Sequence, residues 1–124
     1  MPRVDIPVAD VVRTGTAIGS AGSEVTGDSS QNHIITNTGD VFVIARNSAA
    51  TSTRNVTPVR AQNAIDGVTV TDNAVAVPIS SSKILGPFQP SIYNNLSGAD
   101  IGKMYLNVDH ADLKLQAFRV PANR

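Results

Sequence analysis

The chain contains no cysteine and no tryptophan. Without cysteine there is no disulfide framework, no thiolate metal site and no thiol nucleophile. A small secreted module of eukaryotic type normally relies on such bridges. Aromatic residues make up only 4% of the chain, so its core must be filled with Val, Ile, Leu and Ala. Phe42, Phe88, Phe118, Tyr93 and Tyr105 are the only large anchors. Neither sign of charge is in excess: ten basic and ten acidic residues cancel. A nucleic-acid binder usually carries a basic surplus to neutralise phosphates, so nucleic acid is not expected as a partner. No apolar run approaches the ~20 residues that span a bilayer, so no membrane is expected. Met1-Pro2-Arg3-Val4-Asp5 also lacks the charged-then-apolar order of a signal peptide. The expectation is a chain made in a bacterial cytosol or assembled there.

Glutamate is nearly missing too, with Glu24 alone, whereas Val, Thr, Ser and Asn abound. Few good helix formers and many β-branched residues favour sheet. At 124 residues the chain is one domain's length and can sustain a core unaided. Residues 1–30 stand apart, with Pro2, Pro7, Gly15, Gly19, Gly22 and Gly27 punctuating small residues. Gly19 to Ser23 is nearly a flexible linker, and only Val11 to Thr16 reads as a short strand. This segment is expected to be an extended arm that orders on assembly. Its apolar residues Val4, Ile6, Val8, Val11, Val12 and Ile18 are candidates to bind a partner through strand addition.

Residues 31–124 read as a β domain. Strands are expected over His33–Thr36, Val41–Arg46, Thr53–Val59, Ala74–Ile79 and Lys83–Phe88. Ala64–Thr71 is a further extended segment, broken at Asp66-Gly67. Val41–Arg46 is apolar on both faces, as a strand covered on both sides would be. Lys103–Val108 and Leu113–Val120 alternate in phase and read as a hairpin across Asp109-His110-Ala111-Asp112. The pattern predicts an all-β fold, a single β-sandwich of jelly-roll or Ig-like type with about seven to eight short strands.

Reacting groups are sparse. Asp109-His110-Ala111-Asp112 is the best metal candidate, with His33 a ligand only if the fold brings it near. Asp in such a loop is explained equally by bonds to nearby backbone N–H groups, and the turn reading is preferred. No metal and no cofactor is expected. Hydroxyls are plentiful, but neither histidine sits in a triad-like setting and no nucleophile elbow occurs. Most aspartates stand in turn contexts such as Gly39-Asp40 and Asp72-Asn73, which accounts for them without paired-carboxylate chemistry. No phosphate-binding glycine loop is present. Asn55-Val56-Thr57 and Asn95-Leu96-Ser97 match the glycosylation acceptor pattern only as an Asn- and Thr-rich chain would. Tyr93 and Tyr105, with Phe88, are the candidate sugar platform, although five aromatics are more economically spent on a core. The balance points to a non-enzymatic protein.

The most distinctive stretch is Ile84-Leu85-Gly86-Pro87-Phe88-Gln89-Pro90-Ser91-Ile92-Tyr93-Asn94-Asn95. With Val41 to Ser48, Asp66-Gly67-Val68 and Val75-Ala76-Val77-Pro78, it resembles small β-sandwich proteins of tailed bacteriophages, the head decoration or cement proteins. The likeness covers about Asp40 to Pro121. It departs from the simplest members in its long N-terminal segment and in Ser80-Ser81-Ser82, where a glycine-containing turn is usual. The resemblance implies a structural virion protein on the capsid surface that binds the major capsid protein. It carries no catalytic residues over. Shell symmetry and the N-terminal arm add the expectation of a homo-oligomer, for which a trimer at a local three-fold is one arrangement. The alternative is a carbohydrate- or receptor-binding module of a phage fibre or bacterial surface protein. Tyr93 and Tyr105 discriminate: burial of both favours the structural role, a flat exposed pair the sugar site.

Overall fold

A computed structural model describes residues 3–18, 24–61, 64–65, 67–69 and 71–120. The strands are β1 (Val4–Asp5), β2 (Val8–Asp10), β3 (Val25–Thr26), β4 (His33–Thr36), β5 (Val41–Asn47) and β6 (Arg54–Val59). They continue with β7 (Ala64–Ile65), β8 (Val68–Thr69), β9 (Val75–Val77) and β10 (Ser82–Leu85). One helical turn, α1 (Pro90–Tyr93), precedes β11 (Lys103–Val108) and β12 (Leu113–Arg119). Strands hold 45% of the described residues and helix 4%, so the fold is nearly all β, as the composition predicts.

Two five-stranded sheets of mixed direction carry the architecture. The first runs β1-β4-β11-β6-β9; the second runs β10-β5-β12-β2, with β3 also paired to β12. The two-stranded ribbon β7-β8 stands apart. This is more strands than the sequence predicts, and the extra ones in the two sheets come from residues before His33. Inward-facing residues of both sheets meet in one cluster. Ile35, Val56, Val77, Met104 and Leu106 come from the first sheet, and Val43, Ala45, Leu85, Leu113 and Leu115 from the second. The large interior side chains are thus mainly aliphatic. Phe88 and Phe118 are buried, whereas Phe42, Tyr93 and Tyr105 are half-buried.

Four expectations need correction. Residues 1–30 are not a free arm over their described part. β1 pairs parallel with β4, β2 pairs parallel with β12, and β3 pairs antiparallel with β12. Between β1 and β2 the chain changes sheets, and Ile6 enters the core at 1% exposure. The strand expected over Val11–Thr16 is a loop, closed by Gly15 N–H donating to the Val12 carbonyl. Gly19 to Ser23 lies outside the described residues.

The hairpin across Asp109–Asp112 is also absent. β11 pairs with β4 and β6, while β12 pairs with β5, β2 and β3. The two strands send Met104, Leu106, Leu113 and Leu115 into one core cluster from different sheets, which produces the same in-phase alternation as a hairpin. Lastly, the strand expected over Lys83–Phe88 ends at Leu85. Gly86 then has φ +112°, and the Gly86-Pro87 peptide is cis. A Cβ on Gly86 would lie 2.9 Å from the Val41 carbonyl oxygen, so only glycine fits this turn. The turn carries Phe88 into the core, edge-on to Tyr93 with ring centroids 5.2 Å apart. Asp66, expected to break the segment after Ile65, lies outside the described residues.

Candidate functional site: an apolar groove on the second sheet

The side of the second sheet that faces away from the core is unusually apolar. Strand alternation sends Val41, Val43 and Ala45 of β5 inward and leaves Phe42 and Ile44 outward. Register then aligns neighbours on the same face. Ile84 of β10 stands opposite Ile44, which stands opposite Gln116 of β12, and Phe42 stands opposite Phe118. Cross-strand pairs at this spacing touch, so four large apolar side chains form a continuous patch.

The loop after β2 walls this patch. Val11 N–H donates to the Arg119 carbonyl at 2.9 Å, and Val12 N–H donates to the Thr16 hydroxyl at 3.1 Å. Gln116, nearly buried, donates its side-chain amide to the Ala17 carbonyl at 3.2 Å. Gly15 supplies the left-handed turn at φ +105°. Together they leave a groove of about 370 Å³ lined by Val11, Val12, Ile18, Phe42, Ile44, Ile84, Phe118 and Val120, with Gly15 and Thr16. Its lip stays wet: Val12 is 50% exposed, Ile18 60% and Ile84 65%.

Fixed ion pairs lie beside the groove residues on the same strands. Arg119 reaches Asp10 and Asp40, each at 3.3 Å. The Thr38 hydroxyl, donating to Asp40, holds that carboxyl below its ordinary range, with Arg119 adding to the effect. On β5, Arg46 forks onto both oxygens of Glu24 at 2.9 and 2.7 Å, which pulls the Glu24 pKa down. Such bidentate pairs fix geometry as well as charge. Here Arg46 anchors the residue just before β3, and Arg119 the last residue of β2, to the second sheet.

The six candidate partner-binding residues therefore divide. Val4 and Val8 are in strands paired within the chain, and Ile6 is core. Val11, Val12 and Ile18 line the groove. Phe42, Ile44, Ile84, Phe118 and Val120 complete it and escape the sequence reading. The signal for Phe42 and Ile44 was the second apolar face of Val41–Arg46, which tertiary structure leaves half-covered rather than sealed.

Tyr93 and Tyr105 are not brought together. Tyr93 lines a cleft with Pro58, Arg60, Val75 and Phe88, and Tyr105 lines another with Arg3, Ile34, Asp100 and Lys103. Tyr105 lies beneath the Arg3 guanidinium at 3.9 Å and donates its hydroxyl to Asp100. That bond favours the protonated phenol and raises its pKa. Both rings are half-buried, neither sealed in the core nor presented as a flat exposed pair.

Asp109–Asp112 is structured as a turn. Asp109 accepts the Asn55 N–H at 3.0 Å, His110 Nδ1 accepts the Asp112 N–H at 3.0 Å, and Arg54 pairs with Asp112 at 3.0 Å. His33 is engaged elsewhere, with its ring nitrogens on Val4 and Asp28. Among the described residues no three His, Cys, Asp or Glu side chains gather as a metal site, and no helix is long and apolar enough to cross a membrane. No protein-family model, curated protein or solved structure matches the chain.

Proposed function

We propose that this chain is a non-enzymatic structural protein of a bacteriophage virion, seated through the groove on the major capsid protein as a head decoration or cement protein. The two sheets then form a single β-sandwich domain, copied around the shell as a homo-oligomer, a trimer at a local three-fold being one arrangement. The resemblance of Asp40 to Pro121 to such proteins motivates the role. The observation that carries it is the groove, where Val12, Ile18 and Ile84 spend apolar surface on solvent. An apolar patch this continuous is the kind of surface that partners cover. Repetition on a shell compounds weak single contacts into firm attachment. The assembled location is the capsid surface, reached in the bacterial host's cytoplasm.

Co-sedimentation with shells of the encoding phage tests the reading. Saturation at a fixed ratio to the major capsid protein is expected. Ile84→Asp combined with Ile18→Asp should weaken attachment at least ~tenfold, since a carboxylate cannot be buried unpaired. Failure of the wild-type protein to bind would sink the virion role. Binding that ignores both substitutions would sink the groove as the contact.

A further inference from the structure

His33 is the one ionisable side chain that is wholly enclosed among the described residues, at 0% exposure, and both ring nitrogens are committed. Its Nδ1 lies 3.2 Å from the Val4 carbonyl, to which it donates. Its Nε2 accepts the Asp28 N–H at 3.0 Å. The two bonds fix one neutral tautomer, protonated at Nδ1. Both partners lie N-terminal to β4. Val4 belongs to β1, and Asp28 opens the turn that leads into β4.

We propose that His33 is a proton-operated latch: protonating its ring frees β1 and the Asp28 turn from β4 and releases the first strand from the first sheet. The reason is geometric. Imidazolium carries N–H at both nitrogens, so Nε2 would aim a proton at the Asp28 N–H that it now accepts. One donor must swing away, and the ring, at 0% exposure, has no solvent to turn toward. β1 is the element poised to give. It is a two-residue edge strand, held besides the latch by Val4 N–H on the Asn32 carbonyl at 2.9 Å and Ile6 N–H on the Ile34 carbonyl at 3.0 Å.

The charged surroundings act on the same equilibrium. Burial disfavours the imidazolium most strongly, and the nearby Arg3 of the β1 approach adds to this, so the ring titrates below its ordinary value of 6.5. The Val4 carbonyl and the Asp28 carboxylate work the other way without overcoming burial. Arg3 itself bonds the His33 carbonyl at 3.3 Å and Asn107 of β11 at 2.7 Å. β11 places Leu106 opposite His33, with Lys103 and Tyr105 the titratable side chains further along that strand. A released β1 would uncover the Ile6 side chain together with a free strand edge. Those are the requirements for strand addition to a neighbouring subunit. The latch does not depend on what that neighbour is.

Native-state amide exchange, corrected to protection factors, tests it between pH 8 and 5. In the open state the ring titrates near its ordinary 6.5, so protection at Val4, Ile6 and Asp28 should fall about tenfold per pH unit below that value. It should level off once the enclosed ring is itself protonated. Amides of β5 and β12 should hold steady. His33→Gln, which cannot titrate, should remove the pH dependence, while His110→Gln should keep it. NMR titration of the His33 ring in the unaltered chain provides a measurement that needs no variant. A ring pKa at or above 6.5, or flat protection at Val4 and Ile6 across the range, would overturn the latch.

Discussion

Asn47 shows how a residue type associated with turns becomes an interior cross-link. Its side chain is 1% exposed and donates to the carbonyls of Ser52 at 3.0 Å and Val77 at 2.9 Å. Its oxygen accepts the Ala49 N–H at 2.9 Å. One amide therefore ties β5 of the second sheet to β9 of the first. Asn37 and Asn94 work likewise. Asn37 donates to Asn94 at 2.8 Å and to the Phe88 carbonyl at 3.1 Å, and Asn94 donates to the Asn37 carbonyl at 2.7 Å. Burying any of these amides is tolerable only because the partners are present. Asn47→Leu keeps the branched shape in a larger side chain and strands the partners, at about 1–3 kcal/mol for each group left without one. We expect a loss of about 3 kcal/mol or more in chemical denaturation, with the far-ultraviolet spectrum unchanged. A loss under about 0.5 kcal/mol, typical of surface sites, would show that water replaces the amide at no cost. In the sequence Asn37 and Asn94 stand in turn contexts and Asn47 at the head of a polar loop. Their burial is invisible there, because it depends on what the other sheet brings alongside.

At the scale of elements, the N-terminal segment departs furthest from its sequence. Pro, Gly and small residues make it resemble a linker, and linker composition is a statement about local stiffness. It contains no information about long-range partners. β1 and β2 are too short to stand alone, yet each adds to a sheet edge, and Ile6 between them is sealed by both sheets. Ile6→Ala should therefore cost about 2–5 kcal/mol, as for other enclosed aliphatics. A solvated arm residue would change stability by no more than about 0.5 kcal/mol. Denaturant midpoints of the two proteins decide between these outcomes. The same lesson applies to β11 and β12. In-phase alternation identifies which residues face the core, and Met104, Leu106, Leu113 and Leu115 are all buried. It leaves open whether the strands pair or face one another, since both arrangements turn the same residues inward.

For the whole molecule, the perturbed ionisable groups define a stability plateau. His33 has a folded pKa below its ordinary 6.5, so its contribution is full above that value and is lost as pH falls toward the folded one. Glu24, held down by Arg46, contributes above its ordinary 4.5 and loses that contribution on further acidification. Asp28, held down by the Gln31 and Ser30 N–H groups, and Asp40 do so below 3.8. At the alkaline end Tyr105 is raised above 10.0, so its contribution is full below that value and fades as pH rises through the folded one. Unfolding free energy should thus be flat from about pH 6.5 to 10 and decline in two acid steps, His33 first and carboxylates second. Denaturation across a pH series measures this, and His33→Gln should erase only the first step. A single acid step confined below pH 4.5 would show that His33 is not enclosed in solution.

The sequence alone determined the class of the fold, the inward face of most long strands and the absence of thiol chemistry. These follow from local chemistry: β-branched content, alternation of period two and residue inventory. Tertiary structure decided which strands share a sheet, whether the N-terminal residues belong to the core, and where apolar surface is left over. The groove is of this second kind. Val11, Val12 and Ile18 meet Phe42, Ile44, Ile84 and Phe118 only because β2, β5, β10 and β12 lie side by side. Pairing between distant strands is set by the summed burial of the whole core. No single segment encodes it.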